Sequence, residues 1–173
     1  MKRITFYAIS LCMASLSLNV YAERILSNEP IVEFEAVVVG VIDGDTVDIY
    51  REGYDQARCR LASIDAPERS QAFGQRSKQL LSTYVFSRTV IVGVVDKENR
   101  TDRANRLICT LKVDGVDVNG AMILGGMAWY SRNYLRDPMY IDFEKHARTS
   151  GTGLWVDVNP TYHGEYRQAG WKR

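Results

Sequence analysis

The sequence predicts an α+β fold, a five-stranded β-barrel with three helices, and three observations support this prediction. Short runs rich in Val, Ile and Leu recur between turn-forming residues, which indicates five strands. A segment with the spacing of an amphipathic helix separates the third strand from the fourth. Two further helical segments follow the fifth strand. This order of elements is that of an OB-fold, a small, partly open barrel whose face binds nucleic acids or sugars.

The first three strands are predicted from apolar runs that are separated by turn residues. Asp43-Gly44 is a common turn pair between the first two runs, and Gly53 lies among charged residues between the second run and the third. The three strands are predicted at residues 31–42, 46–50 and 57–64.

The remaining elements follow from helical spacing, apolar runs and one further turn. Apolar residues between Phe73 and Val85 have helical spacing, and Asp114-Gly115 is the turn that follows the fifth strand. A charged loop separates the last two strands, and the polar, aromatic tail from Asn159 onward is expected to be held loosely. The helices are predicted at residues 70–86, 118–129 and 139–148, and the strands at residues 89–96 and 106–113.

The N-terminal residues have the pattern of a secretory signal peptide. Lys2 and Arg3 precede an uncharged, apolar run. Small or medium-sized residues then precede Glu23, as at a signal peptidase cleavage site. The alternative is a transmembrane anchor, for which this run is about the minimum length. We interpret residues 1–22 as a signal peptide and residues 23–173 as one domain, with its core at about 31–157 and a polar C-terminal tail. We therefore expect an exported protein, periplasmic or secreted, with no stable membrane association after cleavage.

The charge balance limits how the protein could bind a polyanion. Loss of Lys2 and Arg3 with the signal peptide changes the formal net charge from +1 to −1. The mature chain is therefore not a polycation, and any attraction to nucleic acid must come from a local basic patch.

Carboxylates cluster where the predicted strands end. Asp45 follows the first strand, and Asp65 and Glu68 follow the third. Hard divalent cations such as calcium take oxygen ligands from carboxylates, backbone carbonyls and water, so these residues could form a calcium site. Zinc is not favoured, because His146 and His163 lack ligand spacing. The alternative for Asp43-Gly44-Asp45 is an ordinary turn.

Arginines accompany these carboxylates. Arg60 lies five residues before Asp65, and the stretch RTDRANR ends at Arg106. Guanidinium groups donate as flat forks to the oxygens of a phosphodiester, and a metal with arginines is a recurring way to stabilise phosphoryl transfer. The alternative for RTDRANR is a solvated surface loop, and each cluster is a weak signal when taken alone.

Taken together, the motifs resemble those of the thermonucleases, the staphylococcal-nuclease-like family. The resemblance is carried by VIDGDTVDI, CRLASIDAPE, DRANRLIC, VNGAMILGGMAWY and GLW, and it covers about residues 37–157. It implies a monomeric, calcium-dependent endonuclease on an OB-fold that cleaves DNA and RNA and leaves 3′-phosphate products.

The resemblance also implies roles for individual residues. Asp45 and Asp65 match the metal-binding aspartates, and Ala66 stands where a family threonine offers its backbone carbonyl to calcium. Glu68 matches the general base for the attacking water, and the two arginines that stabilise the phosphorane are matched by Arg60 and Arg106. Asp43 matches an aspartate that supports the turn.

Two further residues are implied as substrate contacts, and one stretch departs from the family pattern. Arg103 takes the place of a family lysine near a terminal phosphate, and Tyr134 aligns with an aromatic residue that packs on a base. The alternative for Tyr134 is a surface tyrosine. Ala104-Asn105 replaces the usual tyrosine-glycine, which puts affinity and base preference in question more than activity.

The mature chain keeps two cysteines, Cys59 and Cys109, and an even pair in an exported chain suggests a disulfide. In an OB-fold the third and fifth strands are neighbours. Each cysteine lies an odd number of residues from Arg60 or Arg106, so both cysteines would face away from the cleft. That arrangement is compatible with a bridge, and the alternative is two separate buried thiols.

Two other functions fit an OB-fold. The first is a nucleic-acid-binding module that has lost catalysis, which would have no reason to keep the complete set of acidic residues and arginines. The second is an oligosaccharide-binding barrel, which would need a row of aromatic residues on one face and no arginine pair.

Overall fold

The computed structural model describes residues 32–95, 101–102, 104–131 and 137–170. The predicted signal peptide, Arg103 and Tyr134 lie outside these ranges. Within them, no helix is long and apolar enough to cross a membrane.

The described ranges contain eight strands, four α-helices and one 3₁₀ helix. The strands are β1 (Val32–Val41), β2 (Thr46–Tyr50), β3 (Ala57–Leu61), β4 (Ile64–Asp65), β5 (Thr89–Val94), β6 (Leu107–Val113), β7 (Val116–Asp117) and β8 (Trp129–Tyr130). The helices are α1 (Gly74–Val85), α2 (Val118–Leu124), α3 (Pro138–Thr149) and α4 (His163–Gly170), and the 3₁₀ helix spans Gly153–Val156.

Five of the strands form a closed barrel, which confirms the predicted fold class. β1 pairs antiparallel with β2 and with β5, β2 pairs with β3, and β5 pairs with β6. The parallel pairing of β3 with β6 closes the barrel. Alternate side chains of these strands, including Val38, Val47 and Leu111, are fully buried in the barrel core.

A disulfide crosses the parallel pair inside this core. Cys59 on β3 and Cys109 on β6 are both fully buried, and their Cα atoms are 6.2 Å apart. The bridge therefore joins the two strands whose pairing closes the barrel.

The predicted third strand is wrong in one respect, because it splits in two. Ser63 has a φ of 63°, in the left-handed region, so the chain turns sharply after β3. The next two residues, β4, leave the barrel and pair with β8, with Asp65 opposite Trp129. Asp65 is thereby held at the rim of the barrel.

The predicted helix at residues 118–129 is also too long, since α2 ends at Leu124. Gly126 has a φ of 64°, and a Cβ atom built on it would lie 2.1 Å from the carbonyl oxygen of Thr152. Only glycine tolerates both conditions. The chain therefore reverses at this point, and Trp129-Tyr130 becomes the strand that pairs with β4.

The start of α1 and the C-terminal tail also differ from expectation. The helix begins at Gly74, not at residue 70, because Phe73 adopts a left-handed conformation with a φ of 66°. The expectation of a loosely held tail is wrong: α4 follows the 3₁₀ helix and its first residue, His163, is buried. The described ranges thus contain four α-helices where three were predicted.

Candidate active site

One cavity of about 310 Å³ gathers the predicted site residues at the rim of the barrel. The six residues predicted for catalysis and metal binding all line it: Asp45, Arg60, Asp65, Ala66, Glu68 and Arg106. Three residues that sequence reasoning missed, Tyr162, His163 and Arg167, line the same cavity. Residues that are far apart in the chain therefore form a single site.

The turn between β1 and β2 presents Asp45 to the cavity. The backbone N–H of Asp45 donates to Asp43 Oδ1 at 3.0 Å, so Asp43 holds the turn. A Cβ atom on Gly44 would lie 1.8 Å from Ser77 Oγ of α1, so only glycine fits where the turn approaches that helix. The Asp45 carboxylate then accepts from the N–H of Ala66 at 2.7 Å.

Arg60 bridges the two aspartates. Its Nη2 donates to Asp65 Oδ1 at 2.6 Å, and its Nε lies 3.2 Å from Asp45 Oδ1. The third nitrogen, Nη1, donates to the carbonyl oxygen of Leu61 at 2.6 Å. All three side chains are buried, so the interaction between these charges is screened only weakly by water.

Burial has a strong effect on Asp45. Removal from water raises the pKa of its carboxyl to about 7, against the lowering effect of Arg60, and the neighbouring Asp43 raises the pKa further. A buried carboxyl of this kind ionises readily only beside positive charge. The ionised form of Asp45 therefore depends on the adjacent guanidinium of Arg60.

The donor set fits a hard cation. Asp45 and Asp65 both direct an oxygen at the same guanidinium group, so their carboxylates converge on one positively charged position. No group of three or more His, Cys, Asp or Glu side chains in the described ranges has an arrangement that could hold a metal. If a hard cation binds here, its further ligands would be backbone carbonyl and water oxygens. Ala66 lines the cavity beside both aspartates.

Glu68 and Arg106 both line the cavity, and each has an ion-pair partner. Glu68 lies after β4 in the loop that leads to α1, and its Oε1 is 3.1 Å from Nε of Arg167. Arg106, just before β6, is held by Asp102, whose Oδ2 accepts from its Nε at 2.8 Å. Both side chains remain partly exposed, so they can meet a ligand that enters from solvent.

The C-terminal segment contacts Asp65, one of the two aspartates predicted to bind metal, directly. The Tyr162 hydroxyl donates to Asp65 Oδ2 at 2.5 Å, and burial together with this carboxylate raises the pKa of Tyr162. His163 Nε2 lies 3.9 Å from Asp65 Oδ1. The only available sequence signal was the spacing of Tyr162, His163, Tyr166 and Arg167, which places them near one face of a short helix.

Comparisons with known proteins show which family this chain is similar to. Residues 58–157 match the sequence model of a family described as staphylococcal nuclease homologue. An uncharacterized endonuclease of Haemophilus influenzae is 38% identical over 131 residues, which cover 76% of this chain and 71% of that protein. Micrococcal nuclease of Shigella flexneri is 36% identical over 148 residues, which cover 79% of this chain and 82% of that protein. A protein named ParB of Escherichia coli is 36% identical over 179 residues, which cover 97% of this chain and 95% of that protein.

Proposed function

The chain belongs to the staphylococcal nuclease homologue family, and from this premise we propose that it is a calcium-dependent endonuclease that hydrolyses phosphodiester bonds of DNA and RNA. The observation that carries the proposal is the convergence of Asp45, Asp65, Arg60, Arg106 and Glu68 on one cavity. Two acidic cation ligands, two phosphate-binding arginines and a carboxylate base are the groups that this reaction requires. All of them come from one chain, which supports the proposal that a monomer is active.

Calcium held by Asp45, Asp65 and the Ala66 carbonyl would supply positive charge beside the scissile phosphate and lower the free energy of the extra negative charge that develops there. Because a carboxylate must be deprotonated to bind metal, cation binding by Asp45 is expected to weaken as the pH falls. Arg60 lies between the two aspartates, so a cation held by Asp45 and Asp65 would take over part of the charge compensation that Arg60 supplies to them.

The protein groups then act on water and on phosphate. Glu68 and Asp43 are the two partly exposed carboxylates of the cavity, and Asp43 is engaged in its own turn. Glu68 is therefore the one assigned to orient the attacking water and accept its proton. Arg60 and Arg106 donate to the non-bridging oxygens, whose negative charge increases in the five-coordinate transition state. In-line attack on phosphorus expels the 5′ oxygen. One product then ends in a 5′-hydroxyl and the other in a 3′-phosphate.

Plasmid cleavage tests the proposal. With calcium, the purified mature chain is expected to cut plasmid DNA, and the same assay with RNA tests the second substrate. Glu68→Gln removes the proton acceptor and is expected to lower kcat by about 10²- to 10⁴-fold. Arg106→Ala removes one transition-state donor and is expected to lower kcat by about 10²- to 10³-fold.

Matched controls separate catalysis from general effects of charge. Glu33→Gln and Arg88→Ala remove the same side-chain types from exposed ion pairs with Lys112 and Asp114, which do not line the cavity. Both are expected to cut DNA as the wild type does. DNA binding without cleavage by the wild type would favour the binding-module alternative instead.

We also propose that residues 1–22 are removed as a signal peptide and that the mature chain is exported to the periplasm or the medium. The disulfide between Cys59 and Cys109 supports this proposal, because such bridges persist in oxidising compartments. N-terminal sequencing of the protein recovered outside the cytoplasm is expected to begin at Glu23. Recovery of the chain in the cytoplasm with Met1 in place would contradict it.

A further inference from the structure

The C-terminal segment is fixed to the loop that carries Glu68. Gln71 Nε2 donates to the carbonyl oxygen of Thr161 at 2.5 Å, and the Tyr166 hydroxyl lies 3.2 Å from Ser70 Oγ. Both partners belong to the stretch between β4 and α1. The segment therefore docks beside the active site by specific polar contacts.

Aromatic packing fixes the first turn of α4 as well. The Tyr162 ring meets the Trp129 ring edge to face, with centroids 5.4 Å apart, and the Tyr162 and His163 rings are 4.3 Å apart. Trp129 is the residue of β8 that pairs with Asp65. The start of α4 is thus packed against the strand pair that holds a predicted metal ligand, and Arg167 follows one helical turn later.

Arg167 is placed to meet a ligand at the mouth of the cavity. Its Nε lies 3.1 Å from Glu68 Oε1, yet 58% of its side chain is exposed. A guanidinium group carries five N–H donors, more than one carboxylate can accept. Arg167 can therefore orient Glu68 and donate to a phosphate oxygen at the same time.

The charge of the cavity also favours a phosphate-binding role for Arg167. Its lining carries four carboxylates, on Asp43, Asp45, Asp65 and Glu68. Arg60 and Arg106 are engaged by aspartates, so the two arginines that the family resemblance implied are largely neutralised before substrate arrives. Arg167 is paired too, with Glu68, but its side chain is more exposed than those of Arg60 and Arg106, so its positive charge reduces the repulsion that a phosphodiester meets on entry.

We propose that Arg167 is a third phosphate-binding arginine of this active site, contributed by the C-terminal helix, and that it also positions Glu68. The inference rests on the proposed nuclease function. The matched family segment ends at residue 157, and α4 lies beyond it. The competing interpretation of the same contacts is an inhibitory strap that covers the site, and it predicts a change of activity in the opposite direction.

The test compares the wild type with Arg167→Ala and Arg167→Lys on a short single-stranded DNA. Cleavage is measured with calcium, and binding of uncut DNA is measured by fluorescence anisotropy with chelator over a range of salt concentrations. Arg167→Ala is expected to lower kcat/KM by about tenfold to a hundredfold, the effect of one charge-assisted hydrogen bond. It is also expected to reduce the slope of log affinity against log salt by about 0.7, the value for one phosphate contact on a single strand.

The lysine variant separates charge from geometry. Arg167→Lys keeps the positive charge, so we expect the wild-type salt slope, but it cannot hold Glu68 and a phosphate with a planar fork, so kcat/KM recovers only in part. Arg88→Ala controls for loss of an exposed arginine, and Gln168→Ala controls for change on the same helix. Both controls are expected to stay within about twofold of wild type, as is usual for surface substitutions.

The outcomes separate this inference from the proposed function. Wild-type activity and an unchanged salt slope in Arg167→Ala would overturn the inference while the nuclease function stands. Increased activity in Arg167→Ala would overturn it in favour of a strap. If the wild type cuts no DNA, the proposed function fails. A reduced slope of log affinity against log salt in Arg167→Ala would still support phosphate binding by Arg167.

Discussion

Replacing Arg60 with alanine is expected to lower kcat/KM for DNA by about 10³-fold, because Arg60 is the most buried cation of the site and a proposed donor to the transition state. The same substitution also affects stability. Without Arg60, the buried carboxylates of Asp45 and Asp65 face each other with no intervening positive charge. Leaving buried charges unpaired costs about 3–5 kcal/mol of the free energy of unfolding.

Calcium distinguishes the two effects. If the cation lies between Asp45 and Asp65, calcium should restore much of the melting temperature of Arg60→Ala, because binding to the folded state alone is stabilising. Calcium should not restore cleavage, since the phosphate donor is still missing. Calorimetry and a cleavage assay on the same sample measure both quantities, and Arg58→Ala, which breaks the exposed ion pair with Asp48, is the control. A melting temperature of Arg60→Ala that calcium leaves unchanged would contradict the assigned cation position.

Asn119→Ala is expected to cause a large loss of stability, although Asn119 does not line the cavity. Asn119, in the first turn of α2, is fully buried. Its Oδ1 accepts from the N–H of Leu111 at 3.1 Å, and its Nδ2 donates to the carbonyl oxygen of Ala62 at 2.9 Å. One side chain thus satisfies backbone groups of β6 and of the turn after β3.

Alanine would leave these backbone groups buried without partners. Each unsatisfied group costs about 1–3 kcal/mol, so we expect a loss of about 3–5 kcal/mol, or a fall in melting temperature of roughly 10 °C. Thermal unfolding followed by circular dichroism measures the change. Leu124→Ala, an exposed position at the end of the same helix, is the control and is expected to cost less than about 1 kcal/mol. Equal melting temperatures for the two variants would show that the Asn119 hydrogen bonds do not stabilise the fold.

The sequence was sufficient to predict the barrel and the convergence of the acidic residues on one cavity, because both depend on local signals. Apolar runs bounded by turn residues placed β1, β2, β5 and β6 within a few residues of their observed ends. Asp45, Asp65 and Glu68 follow strand ends, so the closure of the barrel brings them to one rim. Short-range patterns thus predicted a long-range assembly.

The errors arise where long-range contacts override local pattern. Ser63 adopts a positive φ, which is unusual for serine, so the residue type gave no indication of the break between β3 and β4. The apolar spacing of α2 continues through Trp129, but those side chains are buried by pairing with β4 and not by a helix. Gly125-Gly126 was the local signal for that break.

The C-terminal helix shows the same limitation in the site itself. Tyr162 and Asp65 are 97 residues apart in the chain, and their hydrogen bond leaves no mark on the spacing of either segment. A polar, aromatic stretch without an apolar stripe resembles a loose tail in composition. Its polar side chains contact residues of the cavity that are distant in the chain. These contacts can be identified only from the assembled barrel.

The central claim, that this cavity is a calcium-dependent phosphodiesterase site, is tested most directly by the chemistry of the ends that it produces. Mass spectrometry of a short single-stranded DNA incubated with the wild type is the measurement. We predict fragments with 3′-phosphate and 5′-hydroxyl ends in calcium and intact DNA in chelator. Fragments with 5′-phosphate ends, or the same fragments in chelator, would contradict the account.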